Sequence, residues 1–129
     1  MKALIVLDCQ KGMLERGHFD ELSVLADYII EKESPNIFHC KDLTEILEKH
    51  QINEVVITGL NAEYCCLFSA IIASDRGYKV TYIEDATASV NNGETYEMKD
   101  LDIVDFIGCI LDWSGQVEVL YLEEFESKN

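Results

Sequence analysis

The run Val55-Val56-Ile57-Thr58, stopped by Gly59 and followed by Cys65-Cys66, constrains this chain more than any other stretch. A short β-branched run bounded by a glycine reads as a strand buried on both faces, the kind found in parallel sheets. In an open α/β sheet the groups just past the carboxyl ends of the strands line the functional crevice. The sequence therefore delivers Cys65 to the edge where chemistry is usually built, on an apparent helix start. The unpaired N–H groups of a first helical turn favour negative charge, so a cysteine there can be drawn toward the reactive thiolate. A buried structural cysteine is the competing reading of the same residue.

The remaining apolar runs repeat the pattern. Residues 3 to 7 form a run closing at Asp8, consistent with a central strand. Residues 20 to 27 read as helix, Tyr28-Ile29-Ile30 as a short strand leading to Lys32, and Ser34-Pro35-Asn36 as a turn. Leu43, Ile46 and Leu47 give helical spacing over 42–50, and 54–58 is the next strand. Residues 65–74 are apolar nearly all round, which predicts a buried helix. A strand over 78–83, an amphipathic helix over 94–113 and a strand over 117–122 complete the series, with Glu123 to Glu126 as a solvated acidic tail. Such alternation predicts an α/β fold: a doubly wound, mostly parallel sheet with right-handed crossovers and helices on both faces.

Composition narrows the class. The 129 residues fit one domain, 1–129, with enough apolar content for a core without staples. A net charge of −15 repels phosphates and anionic lipid, so neither nucleic acid nor membrane is an expected partner. Five cysteines, without metal-ligand spacing, read as reduced thiols. No leader-like or spanning segment is evident, and the expected location is cytoplasmic.

Asp8, Lys32, Cys65 and Asp85 each follow a predicted strand, and the carboxyl ends of parallel strands share one edge. A carboxylate beside a thiol can take its proton, and an ammonium favours both anions, so the group could act as nucleophile, base and charge stabiliser. Taken singly, Asp8 also fits a turn former, Lys32 a solvated charge and Asp85 a cap.

These residues resemble the isochorismatase-like cysteine hydrolases, which include nicotinamidases and N-carbamoylsarcosine amidases. The family's opening strand and Asp-x-Gln motif correspond to Leu7-Asp8-Cys9-Gln10. Its lysine, turn, phenylalanine and helix correspond to Lys32 through Leu43, with Phe38 in register. Its G-x-x-T-x-x-C-V signature corresponds to Gly59 through Cys66, and its Arg-Gly-Tyr and Asp-Ala motifs to Arg76-Gly77-Tyr78 and Asp85-Ala86. The resemblance implies a Rossmann-like three-layer fold and a catalytic triad of Asp8, Lys32 and Cys65. It implies an oxyanion hole of backbone N–H groups near a cis peptide at Leu60-Asn61, and a covalent acyl-enzyme that water hydrolyses. Gln10, Phe38 and Tyr64 are the candidate substrate contacts.

Two departures bear on the expectation. The signature threonine is Ala62, with Asn61 as a possible substitute cap, and only 23 residues separate Asp8 from Lys32, where family members carry a further helix, strand and loop. Nicotinamidase-like members draw Asp and His metal ligands from that region. Here the histidines are His18, His39 and His50, and no metal or other cofactor is expected. The shortened flank would expose a strand edge or apolar patch, which predicts a homo-oligomer. The expected function is cleavage of a C–N bond in a small amide or carbamoyl compound. The alternatives are a catalytically degenerate member serving as a binding or regulatory subunit, and an unrelated flavodoxin-like or receiver-like domain.

Overall fold

The computed structural model describes residues 1–7, 26–30 and 34–128. Among the described residues four parallel strands, β1 (Lys2–Leu7), β2 (Glu54–Leu60), β3 (Lys79–Ala88) and β4 (Glu118–Leu120), form one sheet in the order β1-β2-β3-β4. Among the described residues the helices are α1 (Lys41–Lys49), α2 (Leu67–Asp75), α3 (Ile103–Ser114) and α4 (Leu122–Lys128), with single turns at Ile37–His39 and Gly93–Tyr96 and a wide turn at Ala62–Cys66.

Alternation along the strands divides the core. Val55 and Ile57 of β2 and Val80 and Tyr82 of β3 meet Ala70 and Ala73 of α2, Ile107 and Leu111 of α3 and Leu47 of α1. Small residues on α2 bring its backbone close to the sheet, and burying each large aliphatic chain contributes roughly 1.5–3 kcal/mol. Val56, Ile83 and Leu120 point the other way, where Phe125 of α4 packs on them. The sheet is thus sandwiched between helices, the three-layer α/β arrangement expected. Leu4 and Val6 lie on that second face of β1 and remain exposed.

α3 approaches β3 at Gly108, where the space a Cβ would fill is taken by the Glu84 carboxylate. Glu84 is buried at 8% exposure. Burial pushes its carboxyl above the ordinary range despite a hydrogen bond with Tyr121, and Asp105, Asp102 and Asp85 push the same way.

Several expected boundaries move. Tyr28-Ile29-Ile30 is not a strand, since a β-rich tripeptide gains little without a partner strand; Tyr28 instead bonds His50 Nε2 through its hydroxyl at 2.7 Å. The predicted helix over 94–113 is broken in two. Glu97 (φ 58°) and Asp100 (φ 71°) adopt left-handed backbone, and Asp102 caps α3 by accepting from the Asp105 N–H at 3.1 Å. The last strand stops at Leu120 and the acidic tail forms α4, because Phe125 has an apolar face to cover. The predicted helix over 20–27 lies largely outside the described residues, and its last two described residues, 26 and 27, are not helical.

Candidate active site

β2 leads straight into the site. Leu7 pairs with Gly59, and Gly59 (φ 114°) lies so close to β1 that an added Cβ would stand 2.3 Å from the Leu7 carbonyl oxygen. Only glycine satisfies both demands. The Leu60–Asn61 peptide bond is cis. The Asn61 carbonyl then accepts from the N–H groups of Tyr64 (3.1 Å) and Cys66 (3.2 Å), closing the turn that carries Cys65. Cys65 is 6% exposed and stands between the carboxyl end of β2 and the start of α2.

β3 supplies the opposite wall by a break in register. Ile57 pairs with Tyr82, yet Gly59 pairs with Thr87, so β3 carries surplus residues between the two pairings. The Thr87 hydroxyl ties this bulge by donating to the Glu84 carbonyl at 2.7 Å. The displaced strand end brings Ser89 to Tyr96 against the Cys65 turn. Val90 N–H donates to Asn61 Oδ1 at 3.2 Å. Glu63 Oε2 accepts from Ser89 Oγ (2.8 Å), Asn91 Nδ2 (3.0 Å) and the Tyr96 hydroxyl (2.7 Å). Burial raises the Glu63 carboxyl, but these bonds and one from its own backbone outweigh it and hold the group below the ordinary range. Hydrogen bonding with Tyr64, together with burial and Glu63, pushes the Tyr96 phenol up, so it remains a donor. The two phenolic oxygens are 3.2 Å apart.

A Cys-bearing turn beside a cis peptide at the carboxyl edge of a parallel sheet is the arrangement that the sequence resemblance implies, and the Isochorismatase domain profile matches residues 15–105. The chain belongs to the isochorismatase family. This isochorismatase-family chain is 42% identical over 55 residues to the nicotinamidase of Saccharomyces cerevisiae, a stretch covering 43% of this chain and 26% of the yeast enzyme. It therefore spans about a quarter of that relative's length. A Staphylococcus aureus nicotinamidase structure superposes with a TM-score of 0.71 at 20% identity, covering 92% of this chain and 96% of that one. The yeast nicotinamidase bound to the inhibitor nicotinaldehyde gives a TM-score of 0.57 at 23% identity, covering 80% and 50%. At these identities the two structures support the shared fold.

Of the residues singled out from sequence, Leu60 at the end of β2 and Asn61 after it lead directly into the turn that carries Tyr64 and Cys65. Asp8, Gln10, Lys32 and His18 lie outside the described residues. Phe38 does not join the turn: it is 4% exposed, packed against Tyr78 at the amino end of β3 and beneath the Arg76 guanidinium. Its place is in the core. Asp85 is likewise diverted, because β3 runs past it and its carboxylate accepts the Leu122 N–H at 2.7 Å, capping α4. Among the described residues no group of three or more His, Cys, Asp or Glu side chains is placed to hold a metal, and none of the described helices is long and apolar enough to cross a membrane. The sequence reading assigned no role to Glu63, Ser89, Asn91 or Tyr96. The available signal was a polar Ser-Val-Asn-Asn stretch directly after a strand that neighbours the cysteine-bearing one.

Proposed function

We propose that the chain is a cysteine hydrolase that cleaves a C–N bond in a small amide or carbamoyl compound through an acyl-enzyme on Cys65. The observation that carries the reading is the position of Cys65, at a strand's carboxyl end in a turn that follows the cis Leu60–Asn61 bond. Relatives named nicotinamidases direct the choice of primary amides, nicotinamide first, as test compounds.

In this scheme Asp8 takes the Cys65 thiol proton as sulfur attacks the amide carbonyl carbon. Backbone N–H groups of the 60–66 segment receive the developing oxyanion, an interaction commonly worth about 3–4 kcal/mol when the donors are preorganised. Collapse of the tetrahedral adduct breaks the C–N bond, and Asp8 returns its proton to the departing nitrogen. Water then attacks the thioester with Asp8 as base, releasing the acid and restoring the thiol. Lys32 holds Asp8 ionised and balances the charge that accumulates between carboxylate and sulfur.

Ammonia release from a panel of primary amides, with intact-mass detection of acylated Cys65, tests the scheme. Turnover by the wild type that is lost in Cys65→Ala and reduced at least a hundredfold in Asp8→Asn is expected. Neither ammonia nor an acyl adduct on any amide would leave the second reading, a catalytically degenerate member that binds a small ligand. Ala62 at the signature threonine position favours that alternative.

A further inference from the structure

The acyl-transfer reading gives Cys65 and its neighbouring backbone their work, but leaves Glu63 with none. Its carboxylate is nevertheless the most heavily engaged side-chain acceptor beside the nucleophile. Three donors from the segment after β3 converge on the single oxygen Oε2: a serine hydroxyl, an asparagine amide and a tyrosine hydroxyl, all within 3.0 Å. An anionic oxygen accepts three donors readily, whereas a neutral amide oxygen offers two lone pairs. The second oxygen, Oε1, is buried and has no hydrogen-bond partner among the described residues. A carboxylate is retained here although one of its oxygens is desolvated without return, so the bonds at Oε2 have to offset that cost.

Those bonds join two segments that the sheet alone does not hold together. The Ala62–Cys66 turn follows β2, and Ser89 to Tyr96 follows β3; beyond the last ladder pair, Leu60 with Ala88, the strands no longer bond each other. Glu63, with Asn61 accepting from Val90 N–H, continues the connection past the end of the ladder. We propose, resting on the hydrolase reading, that Glu63 is a positioning residue: it clamps the Cys65 turn to the Ser89–Tyr96 segment and so fixes the direction of the backbone N–H groups around the nucleophile. It acts through the turn and does not exchange protons with substrate. Tyr96 is the clamp's other jaw, and its link to the half-exposed Tyr64 hydroxyl extends the clamp to the surface beside the site.

An aldehyde reads this geometry without turnover. The Cys65 S–H adds across the C=O, forming the S–C bond and passing its proton to the oxygen, and the adduct's stability depends on donors aimed at that oxygen. Nicotinaldehyde binding is measured for the wild type, Glu63→Gln, Tyr96→Phe and Cys65→Ala, alongside amide hydrogen exchange at Val90 and Cys66. Glu63→Gln preserves shape but loses at least one bond at Oε2, and Tyr96→Phe removes one donor while keeping the charge. The expected result is a tenfold or greater loss of aldehyde affinity in Glu63→Gln, a smaller loss in Tyr96→Phe, and faster exchange at Val90 and Cys66 in both, with melting temperature and iodoacetamide labelling of Cys109 unchanged. Wild-type affinity in Glu63→Gln, or unchanged exchange at both amides, overturns the proposal. Faster exchange with wild-type affinity also overturns it, since the network would then be structural only. Failure of the wild type to bind any better than Cys65→Ala refutes the hydrolase reading instead; exchange then decides separately whether the clamp exists.

Discussion

Replacing Gly59 by alanine puts the close backbone approach of β2 to β1 to a quantitative test. The new Cβ would stand 2.3 Å from the Leu7 carbonyl oxygen and 2.5 Å from the Leu7 nitrogen, about 1 Å inside ordinary contact, and both atoms are backbone. No side chain can swing away, so β1 and β2 have to part. Holding a residue with a Cβ at φ 114° costs of order 1–3 kcal/mol. The overlap adds about 1–3 kcal/mol and a weakened ladder bond about 1 kcal/mol. The total expected loss is about 3–7 kcal/mol, which for a chain of this size lowers the melting temperature by roughly 12–28 °C. Gly115 provides the internal control, since it is also left-handed (φ 71°) but nothing lies within 4 Å of its missing Cβ. Gly115→Ala should cost only about 1–2 kcal/mol. Urea unfolding of both variants, at matched pH and with m-values compared, measures the difference directly. If the two losses agree within about 1 kcal/mol, the close packing of β1 on β2 at this point contributes nothing and the reasoning fails.

Glu84 should make stability fall as pH rises. Its folded carboxyl titrates above the ordinary 4.5, so the native state binds the proton more tightly than the unfolded chain, and the stability this contributes is lost as pH climbs through the folded value. Glu84→Gln should therefore match the wild type on the acid side of 4.5 and exceed it near neutrality; a gap in melting temperature that stays constant across that range would refute the assignment. Phe125→Ala should cost about 2 kcal/mol, below the range for a fully buried phenylalanine because this ring is half-buried, and it should release α4 from the second face of the sheet. Loss of α4 helicity by circular dichroism or hydrogen exchange without change in Cys65 labelling is the expected pattern; unchanged stability would mean the ring contributes no net packing.

What the sequence made legible follows from where a single force dominates. Val55 to Thr58 and Val80 to Ile83 are short buried runs, and burial alone suffices to make them strands. The Cys65 turn was legible because a glycine, a helix start and a nucleophile coincide within seven residues. Residues governed by two competing effects were not. Leu101, Ile103 and Ile107 carry helical spacing across Asp102, but its carboxylate caps the backbone and restarts the helix there. Phe38 sits in register with a family motif, yet Tyr78 and Arg76 enclose it at the far end of β3. Asp85 looked like a strand end because three residues of bulge are invisible in a hydrophobicity pattern, and the same bulge is what brings Ser89 and Asn91 to Glu63. Long-range polar networks of that kind depend on register, and register is settled by the assembled sheet.

The strand order carries a consequence for how the chain assembles. Among the described strands each bonds only to its neighbours in sequence, so none of these pairings waits on the far end of the chain. The connection from β2 to β3, residues 61–78, is less than half as long as that from β1 to β2, residues 8–53. Closing the shorter loop is favoured by about 0.8 kcal/mol of chain entropy. The central pair is accordingly the cheapest to form and the natural nucleus, with the edge strands added afterward. The turn holding Cys65 lies inside that shortest connection, so the nucleophile's surroundings take shape with the first native contacts, before either edge of the sheet is in place.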